Sequence, residues 1–323
     1  MDHNMLNQGL HIIANCKAST GDIWQPHFGA AGIAAYFFIQ EHSIPPVVAN
    51  RITTQARAML DHHSFTESAF STVEVHIPNA EHAILQSLQS VIDELHWVGH
   101  NVIYTALSLK AIRELGGWGT AREIEGICTL IESFRKTIPG RSWLGYSVAE
   151  VKRIEIAESD GFPKITNAKQ LSAFILSELS SFQTIYRAEA HHDLIGHMLT
   201  FSHGLNILFD LGHEEYVRSG LPALLKLVKV LRASRDLRSE TPITLRSPVD
   251  HLPLIQATRS KWLPLEQEYW DADFCDNDWD FGHVFKFPFS FYNHLTRVDS
   301  STLDSFAADA IENFRYIIYS PFS

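Results

Sequence analysis

The sequence predicts an all-α fold made of helical hairpins, with apolar inner helices and charged outer helices packed as a ring or layered bundle, α/α toroid-like. Three observations predict it. Apolar residues recur at three- and four-residue intervals through long stretches of the chain. Strand signals are scarce, since only Val73 to Ile77 alternates, and weakly. A histidine-led helix followed by a more charged helix also returns four times in the same order.

The first pair opens at His27-Phe28-Gly29-Ala30-Ala31 and continues through Ile33, Tyr36 and Phe37 to Gln40-Glu41. Pro45-Pro46 starts its partner, which runs through Arg57 to Leu60, because proline is tolerated in a first helical turn. The second pair opens at His100-Asn101-Val102-Ile103 and continues through Ala111, Ile112 and Leu115 to a stop at Gly116-Gly117. Thr120 with Glu123 then forms the capping box of the next helix. Pro139 to Gly145 reads as a loop. The third pair opens at His192-Asp193-Leu194-Ile195. Its partner starts near His213 and carries Leu221, Leu224, Leu225, Val228 and Leu231 along one face. The fourth opens at His283-Val284-Phe285-Lys286, with a partner starting at Ser300 or Ser301 and Asp304. Each partner begins roughly 17 to 21 residues after its histidine, which is one helix plus a turn.

Residues 235–280 hold Pro242, Pro248, Pro253 and Pro264 among many charges and form the longest irregular segment. Segments of that length are usually functional loops or lids. No other boundary signal interrupts residues 1–323, so a single all-helical domain is expected.

The net charge of −11 repels phosphate backbones, which argues against a nucleic-acid partner. No basic run suits an anionic membrane, and the longest apolar run, Phe28 to Ile39, is too short to span one. Met1-Asp2-His3-Asn4 lacks the basic and apolar regions of a secretory signal. Cys16, Cys128 and Cys275 are odd in number and form no CxxC pair, so neither a disulfide framework nor a thiolate zinc site is expected. A cytoplasmic protein in a reducing compartment follows as the expectation.

Histidine is the unusual residue, with 18 in 323 positions. None falls between Asn101 and Ala190, so the excess is placed rather than spread. A metal needs several imidazoles or carboxylates converging from different elements. One histidine at the start of each of four inner helices would supply that, provided the helices run the same way. His27, His100, His192 and His283 are the ligands expected on this ground, with His197 as an alternative. His192 and His197 are five residues apart and only roughly share a face. His62-His63 reads as a cationic pair at a helix end. His294 could reach the wall of a central cavity or simply pack in the core. Asp271, Asp273, Asp276, Asp278 and Asp280 read as a solvated acidic loop, because the glycine and glutamate of an EF-hand are missing.

Other chemistries find less support. There is no HExxH. Ser142 and Ser202 lack a nucleophile-elbow sequence. Gly116-Gly117-Trp118-Gly119 follows a helix rather than a strand, unlike a dinucleotide-binding turn. The His192-Asp193 doublet resembles that of metal phosphohydrolases, but no cluster of phosphate-binding lysines accompanies it.

His100-Asn-Val-Ile-Tyr-Thr-Ala-Leu-Ser-Leu-Lys-Ala-Ile112 resembles the histidine-led helix of the questin oxidase-like proteins. His283-Val-Phe-Lys286 is similar to that family's histidine-x-x-lysine segment, His192-Asp-Leu-Ile-Gly196 to its histidine-x-x-x-glycine segment, and His27 with the small residues after it to its first histidine helix. The order is kept from about residue 24 to 318, although the chain is shorter than expected for that family. The resemblance implies an all-helical oxygenase with a non-haem iron held by several histidines. Polycyclic aromatic substrates would undergo ring cleavage or Baeyer–Villiger-type oxygen insertion. NADPH as reductant is implied by the family alone. So is a role for Lys286: carboxylated by carbon dioxide it becomes an anionic oxygen ligand, whereas a bare ammonium cannot bind a metal. On the residues alone, Lys286 reads as a snorkelling or ion-paired side chain.

The function expected is therefore an iron oxygenase, with zinc as the alternative metal, acting on an aromatic or apolar small molecule. His27, His100, His192, His197, His283 and Lys286 would be the ligands, and His197 and Lys286 would be catalytic. Phe37, Tyr104, Phe201, Phe285 and Phe289 would line an apolar cavity that excludes water. A metal-dependent hydrolase or lyase on the same scaffold, and a non-enzymatic helical-repeat binding protein, are the alternatives.

Overall fold

A computed structural model describes residues 3–65, 76–141, 143–187, 191–236 and 255–318. Among these residues there are thirteen α-helices and no strand; Tyr186 and Gln256 form one isolated antiparallel bridge. The helices are α1 (Asn4–Thr20), α2 (Pro26–Glu41), α3 (Pro46–His62), α4 (Ile77–Gln89), α5 (His100–Glu114), α6 (Ala121–Ser133), α7 (Val148–Arg153), α8 (Ala168–Ser180), α9 (His191–Asp210), α10 (Glu214–Arg235), α11 (His283–Arg297), α12 (Ser300–Leu303) and α13 (Ala307–Phe314). The all-α class is thus observed. None of the described helices is long and apolar enough to cross a membrane.

The predicted helix order is present as α2 then α3, α5 then α6, α9 then α10, and α11 then α12. Local chemistry sets most of these starts. Pro46 occupies the first turn of α3, where its missing N–H costs nothing. Thr120 and Glu123 close a reciprocal capping box on α6, with the Glu123 carboxylate 2.9 Å from the Thr120 amide. At the fourth pair the structure differs from the expectation. Asp299 is the N-cap of α12 and makes no side-chain cap hydrogen bond, while Asp304 sits at the helix C-cap. The helix stops after one turn and a separate helix, α13, follows.

The chain divides into two compact units. Unit 1 holds residues 1–91, 101–136 and 262–289; unit 2 holds residues 92–100, 137–261 and 290–323. Unit 1 is built on α2, which is buried from Pro26 to Phe38. A helix apolar all round can only sit inside a core. Glycines bring its neighbours close. A Cβ on Gly9 of α1 would lie 2.6 Å from the Gly29 carbonyl oxygen of α2. One on Gly126 of α6 would fall under 3.0 Å from the Ala14 carbonyl oxygen of α1. In contrast, α3 buries only Val48, Ile52, Ala56, Met59 and Leu60, the stripe of an amphipathic outer helix.

Unit 2 is built on α9, buried from Leu194 to Leu208. Of the expected face of α10, Leu224, Leu225, Val228 and Leu231 are buried, while Leu221 is only half-buried. Gly220 of α10 lets Leu205 of α9 and Ile92 come within about 3.1 Å of where a Cβ would stand. On its outer side Arg232 pairs with Glu178 at 2.5 Å, and Lys229 pairs with Asp160 at 2.7 Å.

Three sequence expectations fall partly or wholly outside the described residues. Val73 to Val75 of the weakly alternating stretch lie there, as does Ser142. Of the irregular segment at 235–280, residues 237–254 lie there too, while its described remainder includes two 3-10 helices, Gln267–Asp271 and Cys275–Gly282.

Candidate metal centre

In unit 2 the site begins with a left-handed turn. Trp97, Val98 and Gly99 have φ of 36°, 52° and 94°. The amides of Trp97 and Val98 donate to the carbonyls of Ile138 (2.9 Å) and Pro139 (2.8 Å), which anchors the turn. A Cβ on Gly99 would overlap the ring of Phe201 on α9, so glycine is required there for space as well as for φ. The turn delivers His100 as the first residue of α5. The His100 Nδ1 bonds the Trp97 carbonyl, one turn back. On α9 the His197 Nδ1 lies 2.8 Å from the Asp193 carbonyl and 3.4 Å from the Asp193 carboxylate.

These bonds decide the tautomers. A neutral imidazole has one N–H, and a backbone carbonyl only accepts. Each Nδ1 therefore carries the proton and each Nε2 carries the lone pair. Yet the two Nε2 atoms are 3.2 Å apart, with both residues buried. Two lone pairs face each other across that gap, an arrangement that calls for a cation between them. With metal–nitrogen bonds of about 2.0–2.1 Å, two ligands of a tetrahedral ion stand roughly 3.3–3.4 Å apart. The observed separation matches that edge, so the donor set fits a metal.

His192, on the same helix, is half-buried and belongs to no three-residue ligand group among the described residues. The five-residue offset explains the difference. At about 100° per residue, His192 and His197 lie roughly 140° apart around α9. It is His197 whose ring stands beside His100, with centroids 4.7 Å apart.

In unit 1 His27 occupies the first turn of α2, behind Pro26. Its Nδ1 is 2.8 Å from the Trp24 carbonyl and 2.6 Å from the Tyr104 hydroxyl oxygen, so the lone pair is again on Nε2. Tyr104 is buried and its hydroxyl donates to the Ile23 carbonyl at 3.4 Å. Desolvation pushes this phenol well above its ordinary pKa, so it stays protonated. The His283 ring lies 5.9 Å from that of His27 and stacks on Phe287 at 4.5 Å. A second left-handed run, Asp278 to Phe281 with φ of 47–53°, leads into His283 through Gly282. A Cβ on Gly282 would overlap Ala31 of α2.

Lys286 follows one turn after His283 and is only 3% exposed. Phe37, Tyr104, Phe201, Phe285 and Phe289, expected to line an apolar cavity, are all buried. Within unit 1, Phe37 stacks on Phe289 at 6.3 Å and Phe285 on Trp270 at 5.7 Å. His294 is a packing residue. It is fully buried in unit 2, bonded to Ser172 and Ser202, and desolvation lowers its pKa to about 4. Cys16, Cys128 and Cys275 are free thiols, and burial pushes Cys16 up to about 12, so it is a neutral thiol.

Sequence reasoning passed over Asp193 as a partner of His197 and missed the turns that aim the histidines. A signal for the turns was present. Trp24-Gln-Pro-His27, Trp97-Val-Gly-His100 and Trp279-Asp-Phe-Gly-His283 share a tryptophan three or four residues ahead and a proline or glycine just before the histidine. Comparison of the chain with protein-family models, with curated proteins and with solved structures finds no match.

Proposed function

We propose that the chain is a histidine-ligated non-haem iron oxygenase acting on an aromatic or apolar small molecule, by ring cleavage or Baeyer–Villiger-type oxygen insertion. One observation carries the metal: the Nε2 atoms of His100 and His197 face each other at 3.2 Å while both Nδ1 atoms are held by carbonyls. The resemblance to the questin oxidase-like proteins supplies the reaction class, a cytoplasmic setting is kept from the sequence, and NADPH as reductant rests on that resemblance alone.

His100 and His197 hold the ion in this reading, with the Asp193 carboxylate alongside. Iron when bound supplies the one-electron chemistry through which dioxygen reacts with organic substrates. The chain's own residues do the rest. The carbonyls of Trp97 and Asp193 fix ring orientation and raise ligand basicity. Tyr104 stays a neutral phenol at the Nδ1 of His27 and holds that ring in place. Phe201, buried one turn beyond His197, keeps water away and favours an apolar substrate. Within unit 1, a carboxylated Lys286 would offer an anionic oxygen one turn after His283.

The test is metal content of freshly purified protein. About one iron per chain is expected, lost in His100→Ala and in His197→Ala. Metal-free protein, or content unchanged in both variants, overturns the reading and returns the helical scaffold without chemistry. His27→Ala, His283→Ala and Lys286→Ala, measured the same way, assign the unit 1 residues. The carboxylate beside two imidazoles also favours a second reading, a zinc hydrolase or lyase. Zinc in place of iron, with activity retained without oxygen, would select it.

A further inference from the structure

We propose that His62, His63 and Asp278 form a second divalent transition-metal site in unit 1, which clamps the 275–282 segment onto the end of α3. Each of the three offers one ligand atom, and all three atoms lie within 4.8 Å of one another. The His63 Nε2 is 2.7 Å from the Asp278 Oδ1. The two histidine rings meet edge to face with centroids 4.8 Å apart.

Several features suit a cation here. His62 is the last residue of α3 and His63 its C-cap, so the negative end of the helix dipole points at the site. Asp276 and Asp280 flank Asp278 in the sequence of the facing segment and add negative charge to it. His63 is held rigidly, stacked on Phe28 at 3.4 Å with the rings 5° from parallel. Desolvation lowers its pKa, and the neutral form is the one that ligates. His62 is exposed and Asp278 is 45% exposed, so water can complete the coordination. Two imidazoles and one carboxylate select zinc, nickel, copper or cobalt over magnesium or calcium.

Without metal, the His63 Nε2–H donates to Asp278 and the Gln25 amide, 3.3 Å away, donates to Nδ1. Loading moves the ring proton to Nδ1, and Gln25 turns its amide to present the oxygen instead. Asp278, Trp279, Asp280 and Phe281 are left-handed without being glycine, so the segment is costly to hold and gains from an external tie.

The experiment titrates metal-depleted His100→Ala/His197→Ala protein with zinc chloride, which removes the pair in unit 2 and so separates this site from that one. One zinc per chain is expected. His62→Ala and Asp278→Asn should each weaken binding on the order of tenfold or more. Because His62 is exposed, its removal leaves the core intact. Amide exchange of residues 276–282 should slow when zinc is added, and His62→Ala should abolish the slowing. In the otherwise unaltered chain, His62→Ala should lower zinc stoichiometry by one. No binding in the double variant, or binding and exchange unchanged by His62→Ala, overturns the proposal.

Discussion

Replacing Gly99 by alanine tests how the fold delivers His100 to His197. Two costs arise. At φ of 94° an L side chain is strained by roughly 1–2 kcal/mol. The new Cβ also lands under 3.0 Å from three atoms of Phe201, two of them in its ring, a buried side chain with nowhere to retreat. Overpacking of this kind costs about 1–3 kcal/mol. The sum is roughly 2–5 kcal/mol. Gly212 in the same unit is the control. Its φ is 86° and nothing lies within 4 Å of the added Cβ, so Gly212→Ala carries the strain alone. Chemical denaturation of both variants should therefore separate them by about 1–3 kcal/mol. Phe201 lies one turn beyond His197 on α9, so relief of the overlap moves the two Nε2 atoms off their 3.2 Å spacing. Gly99→Ala should lose metal while Gly212→Ala keeps it. Equal stability losses, with metal retained in both, would refute the argument.

Acid should destabilise unit 2. Desolvation lowers the pKa of His191 from 6.5 to about 3 and of His294 from 6.5 to about 4. The unfolded chain therefore takes up these protons first, and stability falls as pH drops through 6.5 toward 4. Between pH 7 and 5 each histidine accounts for about 2 kcal/mol, read from denaturant midpoints; a flat profile would contradict the assignment. Gly126→Ala gains about 1 kcal/mol by helix propensity but drives a methyl group into the Ala14 carbonyl, so a net loss of up to about 2 kcal/mol is expected and a gain in thermal stability would disprove the close approach of α1 and α6. Thr120→Ala should cost about 1 kcal/mol by opening the capping box, with Thr120→Ser recovering most of it in the same thermal scan.

Much of the helical order was legible because its causes are local. Pro46 and the Thr120–Glu123 box act within one turn, so their sequence neighbours suffice to place the starts of α3 and α6. Apolar periodicity likewise marked the buried face of α10, and a nearly continuous apolar stretch marked α2 as an inner helix. The short α12 was not legible, since Ser300 or Ser301 with Asp304 fits a cap pattern on paper, and only the path of the chain puts Asp299 at the N-cap and Asp304 at the C-cap. Asp271, Asp273 and Asp276 are exposed, as the acidic run suggests, but the pairing of Asp278 with His63 was not legible, because it joins residues 215 positions apart.

By itself, the sequence determined the helical class, the four helix openings and the fact that histidine is concentrated at them. Only the tertiary structure decided which imidazole stands beside which. Rotation of α9 puts His197, not His192, beside His100, and the left-handed turn at Gly99 sets their distance. Spacing along a helix gives an angle about its own axis; the face that meets a neighbour is chosen by packing, here by a glycine that leaves room for one phenylalanine.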